Sequence, residues 1–219
     1  MNRKKKAVIS LSAVFLLVCG IVGGIALYNN MIGDVSKVDV DSLPIKTMKG
    51  SFVYDTTNIK EAVGIVDYVF VGNVVSNDGT VYEDIVAMED KNGRTKEVGT
   101  PYTNYTVRVL DNIKGELQTN DPIQVVKQGG IAQDRKSILV FENDALPEAG
   151  QNYIFLAYAQ PDGSLLISGP DSNIPITSSA SRLNAENAAS FTEYAAYKEA
   201  CENEIVPVER ERYTSVYEK

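Results

Sequence analysis

Histidine is absent from all 219 residues, and only two cysteines, Cys19 and Cys201, are present. Without histidine there is no Ser-His-Asp or Cys-His catalysis, no His-based zinc site and no ordinary neutral-pH general base. A Gly-x-Ser-x-Gly elbow, a Ser-x-x-Lys pair, a Gly-Lys phosphate loop and a Gly-x-Gly-x-x-Gly turn are missing too. No cofactor is therefore expected. Two cysteines, one of them inside an apolar run, leave no internal disulfide framework, so stability has to come from a packed core. Carboxylate pairs survive this elimination, but Glu83/Asp84 and Glu89/Asp90 are chain neighbours in a polar stretch and read as surface charge.

A second absence is of charge. No Asp, Glu, Lys or Arg occurs between Ala7 and Gly33. The apolar part, residues 7–28, would be about 33 Å long as a helix, against roughly 30 Å of bilayer hydrocarbon. Arg3, Lys4, Lys5 and Lys6 precede it and form a cytoplasmic cap, residues 1–6, which places everything after residue 28 outside. A cleaved signal peptide has the same charge order, with Gly24 and Ala26 as small residues for cleavage, but its apolar region is shorter. A retained single-pass anchor in the plasma membrane is expected. Val18 stands before Cys19 where a lipid-attachment signal carries a small residue, so Cys19 reads as part of the helix. Gly20 and Gly24 form a small-xxx-small pair through which two such helices could touch.

Setting the basic cap aside leaves seventeen Lys and Arg against twenty-nine Asp and Glu, a net charge of about −12 outside the membrane. Nucleic acid and anionic lipid surfaces are poor partners for that charge. No Asp-x-Asp-x-Asp-Gly calcium loop is present, and no metal site is expected.

Residues 29–50 read as a polar spacer broken by Pro44. Thr57 to Ile65 has the spacing of a short helix, with Thr57 as cap and Ile59, Ala62, Val63 and Val66 on one face. "DYVFVGNVVS" is apolar on both faces and predicts a central strand that bends at Gly72 and ends in a turn at Asn77-Asp78-Gly79. "EDKNGRTKE" carries the Asn-Gly of a tight hairpin that projects and buries little. In "YTNYTVRVLDNIKG" Tyr105, Val107 and Val109 alternate with Thr106 and Arg108, and Ile123 and Val125 alternate inward further on. "SILVFE" predicts an edge strand. "NYIFLAY" is again apolar on both faces, and Pro161-Asp162-Gly163 turns it into "SLLISG". From Arg182 to Glu202 the period is helical, with Leu183, Phe191, Tyr194, Ala195 and Cys201 on one stripe; the tail after Pro207 has no period and is expected to be mobile.

Strands in that order, followed by a helix, predict a mainly β domain: a five-stranded OB-like barrel over residues 51–180, a packing helix over 181–204 and a tail over 205–219. "VDYVFVGNVVS", "YTVRVLDNIKG" and "AGQNYIFLAYAQPDGSLLISG" resemble, in order and spacing, the netrin-like module, the OB-type barrel of tissue inhibitors of metalloproteinases and of complement proteins. They are also similar to membrane-anchored surface proteins of Gram-positive bacteria with the same barrel. The resemblance covers about Ile59 to Gly169. The inhibitors place an amino-terminal cysteine on a protease's zinc; Ser51 to Asp55 offer none, so no functional residue carries over. The resemblance does imply that partners engage the loops at one barrel end, here 77–101 and 128–147. The candidate ligand-facing residues are Asn77, Asp78, Tyr82, Arg94, Tyr102, Gln128, Gly129, Gly130 and Arg135. The expectation is a non-enzymatic, surface-displayed module for a protein, peptide or wall glycan. The alternatives are a carboxylate-dependent wall hydrolase and a protease-inhibitor-like protein.

Overall fold

The computed structural model describes residues 42–89, 92–176, 187 and 191–219. The expected anchor, with Gly20 and Gly24, and the first part of the expected C-terminal helix, with Leu183, lie outside the described residues. Among the described residues no helix is long and apolar enough to cross a membrane. The chain is mainly β, with a helix near its C-terminus. In order, the elements are β1 (Ile45–Met48), α1 (Ile59–Ile65), β2 (Tyr68–Glu89), β3 (Thr95–Lys114), β4 (Ile123–Gln128), β5 (Gly130–Ile131), β6 (Ile138–Phe141), β7 (Asn152–Ala159), β8 (Leu165–Ile167), β9 (Asn173–Pro175) and α2 (Thr192–Glu202).

Two sheets result. β1 lies parallel to β6, and β5 is antiparallel to β6 on its other side. In the larger sheet β2 pairs antiparallel with both β3 and β7, β3 with β4, β4 parallel with β8, and β8 antiparallel with β7, which also carries β9. The pairings thus run β2–β3–β4–β8–β7 and return to β2.

The two-faced strands are explained by two separate cores. Tyr68 and Phe70 of β2, with Tyr153, Phe155 and Ala157 of β7, meet Tyr105, Val107, Val109, Ile123, Leu165 and Ile167 in the first core. Val69, Val71, Ile154 and Leu156, on the opposite faces of the same strands, pack with Ala62 and Val63 of α1 and Tyr194, Tyr197 and Ala200 of α2. Alternate side chains of a strand point to opposite faces, so a strand with apolar residues at every position needs apolar cover on both. Phe70 and Phe155 are register partners and their rings lie 5.4 Å apart. Gly72 sits at a register shift against β3, and a Cβ there would lie 2.5 Å from Val107 Cγ1.

Several expectations are corrected. β2 does not end at Asn77-Asp78-Gly79 but runs on to Glu89, 22 residues in all. The turn-forming residues make bulges instead, with register shifts flanking Ser76 and Asn77 and Gly79 at φ +102°. Asn77 Oδ1 accepts from the Gly79 N–H at 3.0 Å, and the Asp78 carboxylate takes the hydroxyls of Ser76 and Thr106 at 2.6 and 2.7 Å, so turn chemistry is satisfied within the ladder. α1 is capped by Asn58, not Thr57: Thr57 donates both its N–H and its hydroxyl to Asp55 Oδ1, leaving Asn58 to accept from Lys60 N–H. Ile59 is exposed. On α2 the buried stripe is Tyr194, Tyr197 and Ala200, while Ala195 faces out and Cys201 is half-buried. Residues 45–48, placed in the spacer, form β1.

The tail expected to be mobile is tied down along its length. Ile205 N–H donates to Lys60 O, Gln118 N–H to Tyr217 O, and Lys219 N–H to Glu116 O. Gly64 makes room for it, since a Cβ there would sit 2.0 Å from Ile205 O.

Phe155→Ala removes the ring shared by Phe70 and Tyr153 at the centre of the first core. Stability is expected to fall by about 3–5 kcal/mol, read as a lower urea midpoint with an unchanged slope.

Candidate functional site

β2 leaves β7 after Asn73, and β3 leaves β4 before Tyr102, so from the Tyr82–Pro101 pair onward β2 and β3 ladder only with each other, as a two-stranded ribbon, closed by a turn containing Gly93 at φ +73°. An isolated two-stranded ribbon is marginal in water, so its base has to be secured. The segment after β4 does this. Thr103 Oγ1 donates to Gly129 O at 2.7 Å and lies 3.2 Å from Thr80 Oγ1, which accepts from Ile131 N–H. Tyr82 donates its hydroxyl to Ile131 O at 3.1 Å, and Gly99 N–H donates to Gln133 Oε1 at 3.1 Å. Gly130, at φ +153°, has no room for a Cβ, which would fall 2.4 Å from Thr103 Oγ1.

Of the residues singled out in the sequence, Tyr82, Gly129 and Gly130 meet at this base. Gln128 lies beside them, accepting the Ser168 hydroxyl. Tyr102, buried on β3, donates to Asp84 Oδ2 at 3.0 Å, and burial followed by this carboxylate pushes its hydroxyl up to about 12. Asp84 itself takes φ +50° at the bulge opposite Gly99. Arg135 sits in a turn after β5 whose N–H donates to Ala132 O, and Arg94 lies in the ribbon turn. Asn77 and Asp78 are not part of this group; their side chains close on the bulge and on Thr106. Along the ribbon Val81, Ile85, Val86 and Met88 are 40–58% exposed, and among the described residues no third strand pairs with residues 83–89 of β2 or 95–98 of β3.

Two further clusters were not singled out. Lys127 is wholly buried, 2.6 Å from Asp144 Oδ2, and donates to Ser172 Oγ at 2.7 Å. Inward alternation of Ile123 and Val125 already points the residue two further on, Lys127, into the core. The other cluster is at the tail. Asp67, almost buried, pairs with Arg210 at 2.6 Å and Arg212 at 3.1 Å and accepts from Ala159 N–H. The same arginines donate to the carbonyls of Gly64, Ile65 and Val66, the open carbonyls at the end of α1. A cleft of about 400 Å³ nearby is lined by Asp67, Tyr68, Lys114, Glu204, Arg212 and Glu218. Within it Lys114 pairs with Glu204, and Tyr68 donates to Glu218. Nothing in the sequence marks these pairings, which span some 90 to 150 positions.

Among the described residues no group of three or more metal-ligating side chains is placed to hold an ion. No protein-family model matches the chain, and comparison with curated proteins finds no match.

Asp67→Ala leaves both arginines without their shared carboxylate. The expected loss is about 2 kcal/mol, together with faster proteolytic cleavage within residues 205–219 than in the parent chain.

Proposed function

We propose that this chain is a non-enzymatic binding module, held by residues 7–28 on the outer face of the plasma membrane, that engages a protein or peptide partner along the β2–β3 ribbon. The observation that carries this reading is the ribbon itself: Val81, Ile85, Val86 and Met88 are exposed on paired strands that, over residues 83–89 and 95–98, carry no third strand among the described residues. Exposed strand edges accept an added strand through main-chain hydrogen bonds, while alternate side chains supply specificity. A wall glycan would be met instead by a polar, aromatic-lined cleft, and the ribbon is apolar at these four positions.

The pairing circuit supports reading the body as an OB-type, netrin-like barrel. Strands β2, β3, β4, β7 and β8 take the five barrel positions, with β4 and β8 as its parallel pair. In such a barrel the ribbon is an extended connection between the first two strands, and the segment 129–147 is the next long connection at its base. The placement outside the cell rests on the uncharged run from Ala7 and the basic residues before it.

A photo-crosslinking side chain at Met88 of the full chain on intact cells should give discrete protein adducts that the same group at Lys198, exposed on α2, does not. Ile85→Asp should weaken them about tenfold or more without changing the thermal midpoint. Identical adduct patterns from both positions would rule out the ribbon as the binding surface.

A further inference from the structure

Lys127 and Asp144 are the one ion pair among the described residues in which both side chains are essentially out of solvent, at 0% and 2% exposure. A buried ion pair has to be compensated by further hydrogen bonds or it destabilises the fold. Here the compensation is uneven. The ammonium has two fixed acceptors besides the carboxylate, Ser172 Oγ at 2.7 Å and Gly169 O at 3.3 Å, and Ser172 is itself held by donating to Gly169 O at 2.6 Å. Asp144 Oδ1 accepts the Ala145 N–H, whereas Oδ2, 2.6 Å from Nζ, has no partner besides the ammonium. With two N–H groups directed to Ser172 and Gly169, the third position on Nζ is the one that faces Asp144.

We propose that in the folded protein Lys127 and Asp144 become joined by an amide bond, formed between Nζ and Cγ with loss of one water. The chemistry balances within the pair. Nζ passes one proton to the Asp144 carboxylate, which exposes its lone pair toward Cγ; attack forms the N–C bond. A second proton then follows to the same oxygen, which departs as water and leaves one N–H on the amide. Ammonium plus carboxylate becomes amide plus water, with no oxidant, reductant or activating group.

The surroundings favour each step. Burial pushes the Lys127 ammonium toward its neutral form and the Asp144 carboxylate toward its protonated form, each held back in part by the other. The charged groups facing the pair are few: Asp171, exposed at the rim, adds negative potential at both. Tyr105, wholly buried on β3, has a hydroxyl with no hydrogen-bond partner and lies within electrostatic reach of Asp144. Holding amine and acid in contact replaces a bimolecular encounter by one with an effective concentration of about 10⁵ M or more, and exclusion of bulk water favours condensation over hydrolysis. The bond would tie β4 to the loop after β6, across the segment that secures the ribbon base. Among the described residues Cys201 is the single cysteine, so no disulfide between them makes such a link.

The test is the mass of the denatured full-length wild-type chain, compared with Lys127→Arg and Asp144→Ala after correction for each substitution. The wild type should be one water lighter than either variant. Trypsin should then fail to cut after Lys127 and release a branched peptide joining residues 115–135 to residues 137–182. A wild-type mass equal to the corrected variants, with the linear peptide 115–127 recovered in full, would overturn the proposal. The wild-type digest decides the matter even where a variant fails to fold.

Discussion

The structure depends on the start of β2, where Val69 to Asn73 are paired on both edges and Tyr68 to Val71 alternate between two covered faces. Register with β7 runs from Tyr68↔Ala157 to Asn73↔Asn152, and β3 lies along the other edge. Tyr68 and Phe70 enter one core, Val69 and Val71 the other. No other part of β2 is enclosed in this way, and the transition from enclosed to free occurs within a single strand. Burying each large apolar side chain is worth about 1.5–3 kcal/mol, so this short stretch, with its partners on β7, ties together the two cores, to which β3 adds Val109 on one side and Leu110 and Ile113 on the other. The helices follow from it: α1 and α2 have a surface to pack on because the outer faces of β2 and β7 are apolar.

The polar interior is organised around the same frame. At the end of α1 the carbonyls of Gly64, Ile65 and Val66 would be left open, and Arg210 and Arg212 fill them while pairing with Asp67 at the start of β2. The last residues reach further, bridging Leu117 and Glu218 and placing the Ser215 N–H on the Tyr68 hydroxyl. Burial and the Glu218 carboxylate together push that hydroxyl up to about 12, as expected of a donor between a carboxylate and a low-dielectric wall. The C-terminal segment therefore acts as a polar strap over one end of the domain. It contributes few buried apolar groups, in keeping with its lack of hydrophobic period.

What was legible in the sequence is what periodicity encodes. The alternation of Tyr105, Val107 and Val109, the two-faced runs of β2 and β7, and the Pro161-Asp162-Gly163 turn all read directly, because side-chain direction in a strand follows parity. The Asn77-Asp78-Gly79 cluster misled, since residues that form turns also form bulges, and only the partner strand, with Thr106 placed to bind Asp78, decides between them. The tail was illegible for a different reason. Arg210 and Arg212 look like solvated charge until Asp67, far away in sequence, is brought beside them. Of the candidate site, Tyr82, Gly129 and Gly130 were singled out as residues of the two long connections; that they meet over Thr80 and Thr103 was not legible, because the contact depends on bulge positions that set the register. Lys127 was within reach of parity, but its acidic partner lies in an irregular loop.

The functional account rests on a division of one strand pair into an enclosed half that bears the fold and a free half that can meet a partner. Site-resolved native-state hydrogen exchange on the domain tests that division most directly. Amides of Val69 to Val74 should exchange only through global unfolding, with a denaturant dependence equal to that of the whole domain, while those of Ile85 to Glu89 should exchange through local opening that denaturant scarcely affects. Equal protection and equal denaturant dependence along the whole of β2 would contradict the account, because the ribbon would then be part of the cooperative core.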